Sequence, residues 1–187
     1  DVEPHEYEQL ERLITGDYTT EERILLDVEV IKEDGSKHYL AVNDAVVARG
    51  QLSKTIDLHL TLDGDEISKY RADGLLFATP TGSTAYSLSA GGPILAPKME
   101  CILMTPVCPH SLFSRSVLFS GESELSVHVK IPEECCCVLT IDGEKNVPVL
   151  ATDRVVIRKS DLKLKLALLH NRNFYKLLNE KLKERDF

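Results

Sequence analysis

The stretch Thr55-Ile56-Asp57-Leu58-His59-Leu60-Thr61-Leu62 alternates without error, with Ile56, Leu58, Leu60 and Leu62 on one side and Asp57 and His59 on the other. A side-chain period of two belongs to an extended strand, because successive Cβ atoms point to opposite faces of a sheet. The same period returns in Leu125, Val127, Val129 and Ile131, and again in Leu162, Leu164, Leu166 and Leu168. Each of these strands is expected to have one dry and one wet face. That is how antiparallel sheets behave when two of them pack face to face.

Outward from these strands the pattern stays mainly β. Residues 23–32 (RILLDVEVIK) and 37–43 (KHYLAVN) flank Glu33-Asp34-Gly35-Ser36, a hairpin connection in which Gly35 can take positive φ. Residues 4–14 place Tyr7, Leu10, Leu13 and Ile14 on one helical face, and Gly16 follows as a stop. At the other end, residues 171–186 carry Phe174, Leu177, Leu178 and Leu182 at helical spacing, which predicts a closing helix. Strands and helices do not alternate as in a doubly wound sheet, and neither repeats nor a linker interrupt the chain. The expected fold is an antiparallel β-sandwich with short peripheral helices, one domain over residues 1–187.

Composition narrows the function. The chain has 187 residues, 43% of them hydrophobic, with 22 Lys plus Arg against 30 Asp plus Glu and a net charge of −8. That balance argues against a broad nucleic-acid surface, so any bound anion must be held locally. No apolar run approaches the roughly 20 residues of a membrane span. Residues 1–11 lack the basic and apolar regions of a signal peptide, and a start at Asp1 in place of Met suggests a truncated chain. The five cysteines, Cys101, Cys108, Cys135, Cys136 and Cys137, show no paired zinc spacing. Three in a row on a strand point to alternating faces, so they read as reduced, buried or half-buried thiols of a cytoplasmic protein, with no metal site.

The conspicuous segment is Thr79-Pro80-Thr81-Gly82-Ser83-Thr84-Ala85-Tyr86-Ser87-Leu88-Ser89-Ala90-Gly91-Gly92-Pro93, which follows the apolar strand Gly74-Leu75-Leu76-Phe77-Ala78. Its hydroxyls and glycines suit a polyhydroxylated ligand. Ser83 can N-cap a short helix from Thr84 to about Ala90, stopped by Gly91-Gly92, with its free N–H groups open to a phosphate or ribose where Gly82 permits close approach. No Lys follows the glycine, so this is not a Walker-type P-loop. Composition alone also allows a capped surface helix in a glycine-rich connection.

The segment and its flanks resemble the central signature of the NAD kinase family. Arg71-Ala72-Asp73-Gly74 and Thr79 through Tyr86 match it without a departure. Val42-Asn43-Asp44-Ala45-Val46-Val47 resembles the family's asparagine-acidic pair, Thr105-Pro106-Val107-Cys108-Pro109-His110-Ser111-Leu112 a downstream segment, and Ile141-Asp142-Gly143 a third motif. The likeness spans essentially the whole chain and corresponds to the family's C-terminal domain. The family's glycine-glycine-aspartate-glycine loop, with its catalytic aspartate, is absent from these residues and is expected in a preceding α/β domain.

What the resemblance implies is an ATP-dependent phosphorylation of the adenosine-ribose 2′-hydroxyl of NAD, giving NADP. ATP and Mg2+ would be handled mainly by the absent domain, and this chain would be inactive alone. NAD is implied to be held by Asn43, Asp44, Lys54, Arg71, Asp73, Thr84, Ala85, Tyr86, Ser87, Leu88 and Ser89. Asn43 and Asp44 would take adenine and ribose, Asp73 the nicotinamide carboxamide, and Arg71 a phosphate or a subunit boundary. Thr84 to Ser89 would line the ribose and nicotinamide, with Tyr86 stacking and Leu88 packing inward.

Each has a plainer reading: an Asx turn at Asn43-Asp44, an Arg71–Asp73 surface ion pair, a solvated Lys54, a simple hairpin at Asp142-Gly143. Glu144 departs from the family's pattern, and His110 reads as structural. A homodimer or homotetramer is implied. The competing functions are a relative of the lipid kinases and a non-catalytic dinucleotide-binding or assembly module.

Overall fold

The computed structural model describes residues 4–50, 55–111, 114–131, 137–169 and 173–184. Lys54, Leu112, Cys135 and Cys136 lie outside them. The chain forms two compact units, one of residues 24–164 and a smaller one of residues 1–23 with 165–187.

In the larger unit two antiparallel six-stranded sheets carry the fold, as the alternating strands predict. The strands are β1 (Thr19–Lys32), β2 (Gly35–Ala41), β3 (Asp44–Arg49), β4 (Ile56–Leu62), β5 (Asp65–Ala72), β6 (Gly74–Ala78), β7 (Cys101–Val107), β8 (Val117–Ser120), β9 (Leu125–Lys130), β10 (Cys137–Ile141), β11 (Lys145–Val149) and β12 (Arg154–Leu168). The first sheet runs β2-β1-β12-β9-β4-β5 and the second β11-β10-β3-β6-β7-β8. Between them lies one core. Leu26, Val28, Leu58, Leu60, Val127 and Val155 of the first sheet pack with Ala45, Val47, Leu75, Phe77, Met104 and Leu139 of the second. Burying a side chain of this size contributes roughly 1.5–3 kcal/mol.

The perfect alternation of residues 55–62 works as expected: Ile56, Leu58 and Leu60 are buried, and Asp57 and His59 lie on the other face. Leu62 at the strand end is half-buried. The β1–β2 hairpin closes with Lys32 opposite Gly35, whose φ is +132°.

The apolar strand expected at residues 74–78 lies in the middle of the second sheet and has no wet face. All of β6 is buried, because Val46, Leu76, Ala78 and Leu103 form a further cluster with Leu95 and Cys101. The chain after β6 thus lies across the outer face of the sheet and keeps it dry. The end of β12 departs the other way. Its register with β9 stops at Ile157 opposite Leu125, and Leu162 is exposed.

In the smaller unit, residues 4–14 form a 3₁₀ turn, Pro4–Leu10, bent at Glu6, followed by α1 (Glu11–Thr15). Gly16, at φ +75°, ends it. The apolar face expected there stays at the surface: Tyr7, Leu10, Leu13 and Ile14 are exposed. The closing helix is Phe174–Glu184, capped by Asn173, whose Oδ1 accepts the Tyr175 N–H at 2.9 Å. Among residues 174–180, Phe174, Leu177 and Leu178 are half-buried; the burial of Leu182 lies outside the described residues. Cys101 and Cys137 are buried, as expected; Cys108 is exposed, because its left-handed turn at φ +45° carries it off the end of β7.

Candidate functional site

Two places where the chain passes from one sheet to the other carry the expected residues. The first lies between β2 and β3, where only Val42 and Asn43 intervene. Outside a ladder, backbone groups need other partners. Asp142, at the β10–β11 turn, supplies them: its Oδ2 accepts the Val42 N–H at 2.8 Å, and its Oδ1 accepts those of Asn43 at 2.7 Å and Asp44 at 3.0 Å. Its own N–H donates to the Asp44 carbonyl at 2.9 Å. Thr79 satisfies the other side. Its hydroxyl donates to the Val42 carbonyl at 2.7 Å, and its N–H to the Asn43 carbonyl at 2.9 Å.

This clamp leaves the Asn43 and Asp44 side chains unengaged. Among the described residues neither accepts nor donates a hydrogen bond, so they do not form the Asx turn that the sequence also allowed. Asp44 is only 5% exposed. Burial, reinforced by the Asp142 carboxylate beside it, pushes its pKa up to about 6. An ionised carboxyl on a largely buried residue, beside a second carboxylate, is costly unless a ligand uses it.

Thr79 also opens the hydroxyl-rich segment, and its Oγ1 accepts the Gly82 N–H at 3.0 Å. Gly82 is required here, since a Cβ would sit 2.0 Å from the Asn43 carbonyl oxygen. What approaches Gly82 closely is therefore the Asn43 backbone, not a ligand. The expected continuous helix from Thr84 is broken as well. Residues Gly82–Thr84 form a 3₁₀ turn, Ala85 takes φ −94° and ψ −128°, and α2 covers only Tyr86–Ser89.

Ser83 does not cap it. The Ser83 hydroxyl is buried, donating to the Pro80 carbonyl at 2.7 Å and accepting the Leu95 N–H at 3.1 Å. The N–H groups of Gly82, Ser83 and Ala85 are taken by Thr79, Pro80 and Gly82, so the turn that precedes α2 offers no free cluster of donors. Gly91, at φ +87°, does stop it.

Within the run, Ala85, Tyr86 and Ser89 are exposed, Thr84 and Leu88 half-buried, and Ser87 fully buried. Tyr86, 47% exposed, presents its ring outward. The Ser87 hydroxyl bonds Thr105 Oγ1 at 3.1 Å, and Thr105 bonds Ser116 at 3.1 Å, a hydroxyl chain that pins α2 to β7. Gly92 makes room for it, as its Cβ would lie 2.3 Å from the Ser87 oxygen.

The second passage between sheets is Asp73, the single residue between β5 and β6. Arg71 and Asp73 do not pair with each other. Arg49 grips Asp73 through two nitrogens, at 2.8 and 3.0 Å, and Arg71 grips Asp57 likewise, at 2.8 and 3.0 Å. The two side chains belong to different sheets, which separates them.

Arg71 lines a groove of about 490 Å3 with Lys69, Tyr70, His110, Ser111 and Arg115; the other expected site residues do not line it. Arg49 and Asp44 are the two ends of β3, about 17 Å apart at a strand's rise per residue. The expected residues are therefore strung out: Asn43 and Asp44 at the start of β3, Tyr86 on α2, Asp73 against Arg49 at the other end of β3, and Arg71 on β5 of the first sheet. Among the described residues no cluster of three or more His, Cys, Asp or Glu is placed to hold a metal ion. The implied Mg2+ has no ligand set in them.

Sequence reading missed Thr79, Thr105, Arg49 and, above all, Asp142 as members of the site. An Asp-Gly pair between two strands announces a turn; nothing local in it points to residue 43.

Residues 42–169 match the family described as ATP-NAD kinase C-terminal domain. An NAD kinase of Natranaerobius thermophilus is 40% identical over 174 residues, 92% of this chain and 60% of that protein. An NAD kinase of Magnetococcus marinus is 40% identical over 179 residues, 94% of this chain and 58% of that one. The chain thus spans about 60% of the length of these relatives. Among solved structures, a yeast NADH kinase complexed with NADH superposes with a TM-score of 0.85 at 27% identity, covering 95% of this chain and 54% of that one. An NAD kinase from Archaeoglobus fulgidus in complex with ATP superposes at 0.77 with 26% identity, covering 94% and 64%. No described helix is long and apolar enough to cross a membrane.

Proposed function

The chain belongs to the NAD kinase family, and we propose that it supplies most of the NAD site of an enzyme that moves the γ-phosphoryl of ATP to the adenosine-ribose 2′-hydroxyl of NAD. The observation that carries this reading is the clamp at Val42–Asp44. It joins the asparagine-acidic pair to the hydroxyl-rich segment through Thr79, and it leaves the carboxyl of the largely buried Asp44 without a hydrogen-bond partner among the described residues.

In this reading the ionised Asp44 accepts two ribose hydroxyl hydrogen bonds and Asn43 reads an adenine edge. Tyr86 offers its face to a flat ring. What such residues contribute to phosphoryl transfer is placement of the 2′-oxygen, since most of that catalysis is positioning and charge stabilisation. The catalytic aspartate, the ATP phosphates and Mg2+ fall to a preceding α/β domain; residues 1–187 are the C-terminal, NAD-binding domain and are inactive alone. The relatives' greater length supports this division. Cys101 and Cys108, outside any disulfide, fit a cytoplasmic setting.

The distance between the two ends of the strung residues supports a homo-oligomer in which Arg71 and Asp73 of one copy complete the site of another. Val117 and Leu118, exposed on the edge strand β8, give such an assembly apolar surface. The deciding measurement is calorimetric titration of NAD onto this chain beside an NADP-formation assay of the longer gene product. Binding without turnover in the first, with ATP-dependent NADP in the second, is expected. No NADP from the longer product would sink the proposal.

A further inference from the structure

We infer that Asp142, which looks from sequence like half of a hairpin turn, is the residue that positions Asn43 and Asp44 for the dinucleotide. The inference rests on the NAD-site reading above and adds to it a residue that need not touch the ligand. Three consecutive peptide N–H groups, of Val42, Asn43 and Asp44, converge on its one carboxylate at 2.7–3.0 Å. Successive N–H groups turned the same way form a cradle for an anion, and here the anion is a side chain from about 100 residues away in sequence.

The turn is built to deliver it. Asp142 takes φ +49° and Gly143 φ +72°, a pair of left-handed residues that sends the chain back along β11. Asp and Asn tolerate that conformation where most side chains do not. With Thr79 on the two carbonyls and the Asp142 N–H on the third, all six backbone polar groups of Val42–Asp44 are held. The aim of the Asn43 and Asp44 side chains then has little freedom left.

Asp142 also acts by charge. Opposite Asp44, β6 presents Ala78, followed by Thr79; β10 ends with Ile141 opposite Ala45, and the next residue, Asp142, gives its N–H to the Asp44 carbonyl. Of these only Asp142 has an acidic side chain, and it stands after burial as a cause of the raised Asp44 pKa. A residue that merely satisfied three N–H groups would not tie the site to pH. This one raises the pH at which Asp44 ionises, and so the pH at which a carboxylate able to accept two ribose hydroxyl hydrogen bonds is available.

The test uses the full-length protein, wild type with Asp142→Asn and Asp142→Ala. NAD is titrated calorimetrically from pH 5 to 8.5, KM is measured for NAD and ATP, and amide exchange is followed at residues 42–44. Wild-type binding is expected to strengthen as pH rises through about 6. Asp142→Asn keeps the left-handed conformation and one acceptor oxygen. It is expected to bind NAD at least tenfold more weakly at pH 8, with a lower pH midpoint and an unchanged KM for ATP. In Asp142→Ala the three amides are expected to exchange at least a hundredfold faster; should that variant not fold, Asp142→Asn carries the test.

Wild-type affinity and an unshifted midpoint in Asp142→Asn, or unchanged exchange in Asp142→Ala, overturn the inference. Wild type that binds no NAD overturns the dinucleotide reading and the inference with it. The wild-type titration tells that failure from the first.

Discussion

Replacing Asp44 by Asn should stabilise the protein at neutral pH while weakening the site. Asp44 has a pKa of about 6 in the fold against 3.8 for an ordinary aspartate. A carboxyl whose pKa is raised by folding contributes stability below its unfolded value, and that contribution is lost as pH rises through the folded one. The loss therefore falls between about pH 4 and pH 7 and amounts to roughly 3 kcal/mol, at 1.36 kcal/mol per unit. Above it the fold carries an ionised carboxylate that is buried beside Asp142.

Asparagine has nearly the same shape and no charge, so wild type and Asp44→Asn should diverge with pH. The difference in unfolding free energy is expected to be about 2 kcal/mol more favourable to the variant at pH 8 than at pH 4.5, because roughly 1 kcal/mol is already lost by pH 4.5, or on the order of 4–8 °C in Tm. Urea unfolding at half-unit steps from pH 4.5 to 8 measures it. The difference between pH values, and not the absolute value, isolates the charge from the new buried amide. A flat difference across that range, or a variant that loses ground as pH rises, would refute the reasoning about the Asp44 environment. NAD affinity should move the opposite way, falling by tenfold or more at pH 8, as expected where a costly residue is retained for function.

Other outcomes follow from the same geometry. Gly82→Ala places a methyl 2.0 Å from the Asn43 carbonyl and must push the two strand-end segments apart; a loss of about 1–3 kcal/mol in urea unfolding is expected, with NAD binding reduced more than in Gly91→Ala. Phe77→Ala, in the shared core, is expected to cost about 3–5 kcal/mol, read from the urea midpoint. Mixing full-length Asp44→Ala with full-length Asp73→Ala should restore NADP formation through hybrid assemblies if one copy completes another's site, whereas each variant alone stays inactive; an inactive mixture shown by mass to contain hybrids counts against the shared site.

Much of the fold was legible because its signals are local. The two-residue period of 55–62 foretold a strand with one buried face, and Gly16, Gly35 and Gly91 marked stops that the backbone obeys. Where local signals misled, something distant intervened. Ser83 has the chemistry of an N-cap, yet Leu95 and Pro80 claim its hydroxyl. β6 reads as an apolar strand, but only the chain folded over it explains why both faces are dry. Arg71 and Asp73 look like partners two positions apart, until the switch of sheets at Asp73 gives each another one.

By itself the sequence determined the class of fold, the motifs and the family they resemble, since periodicity, turn residues and contiguous runs need no knowledge of distant neighbours. Only the tertiary structure decided that Asp142 holds the start of β3, that Gly82 faces backbone and that the expected residues are spread from the start of β3 to β5 of the other sheet. Hydrogen bonds between residues about 100 positions apart depend on how two sheets pack, and that packing is written in no single stretch of the chain.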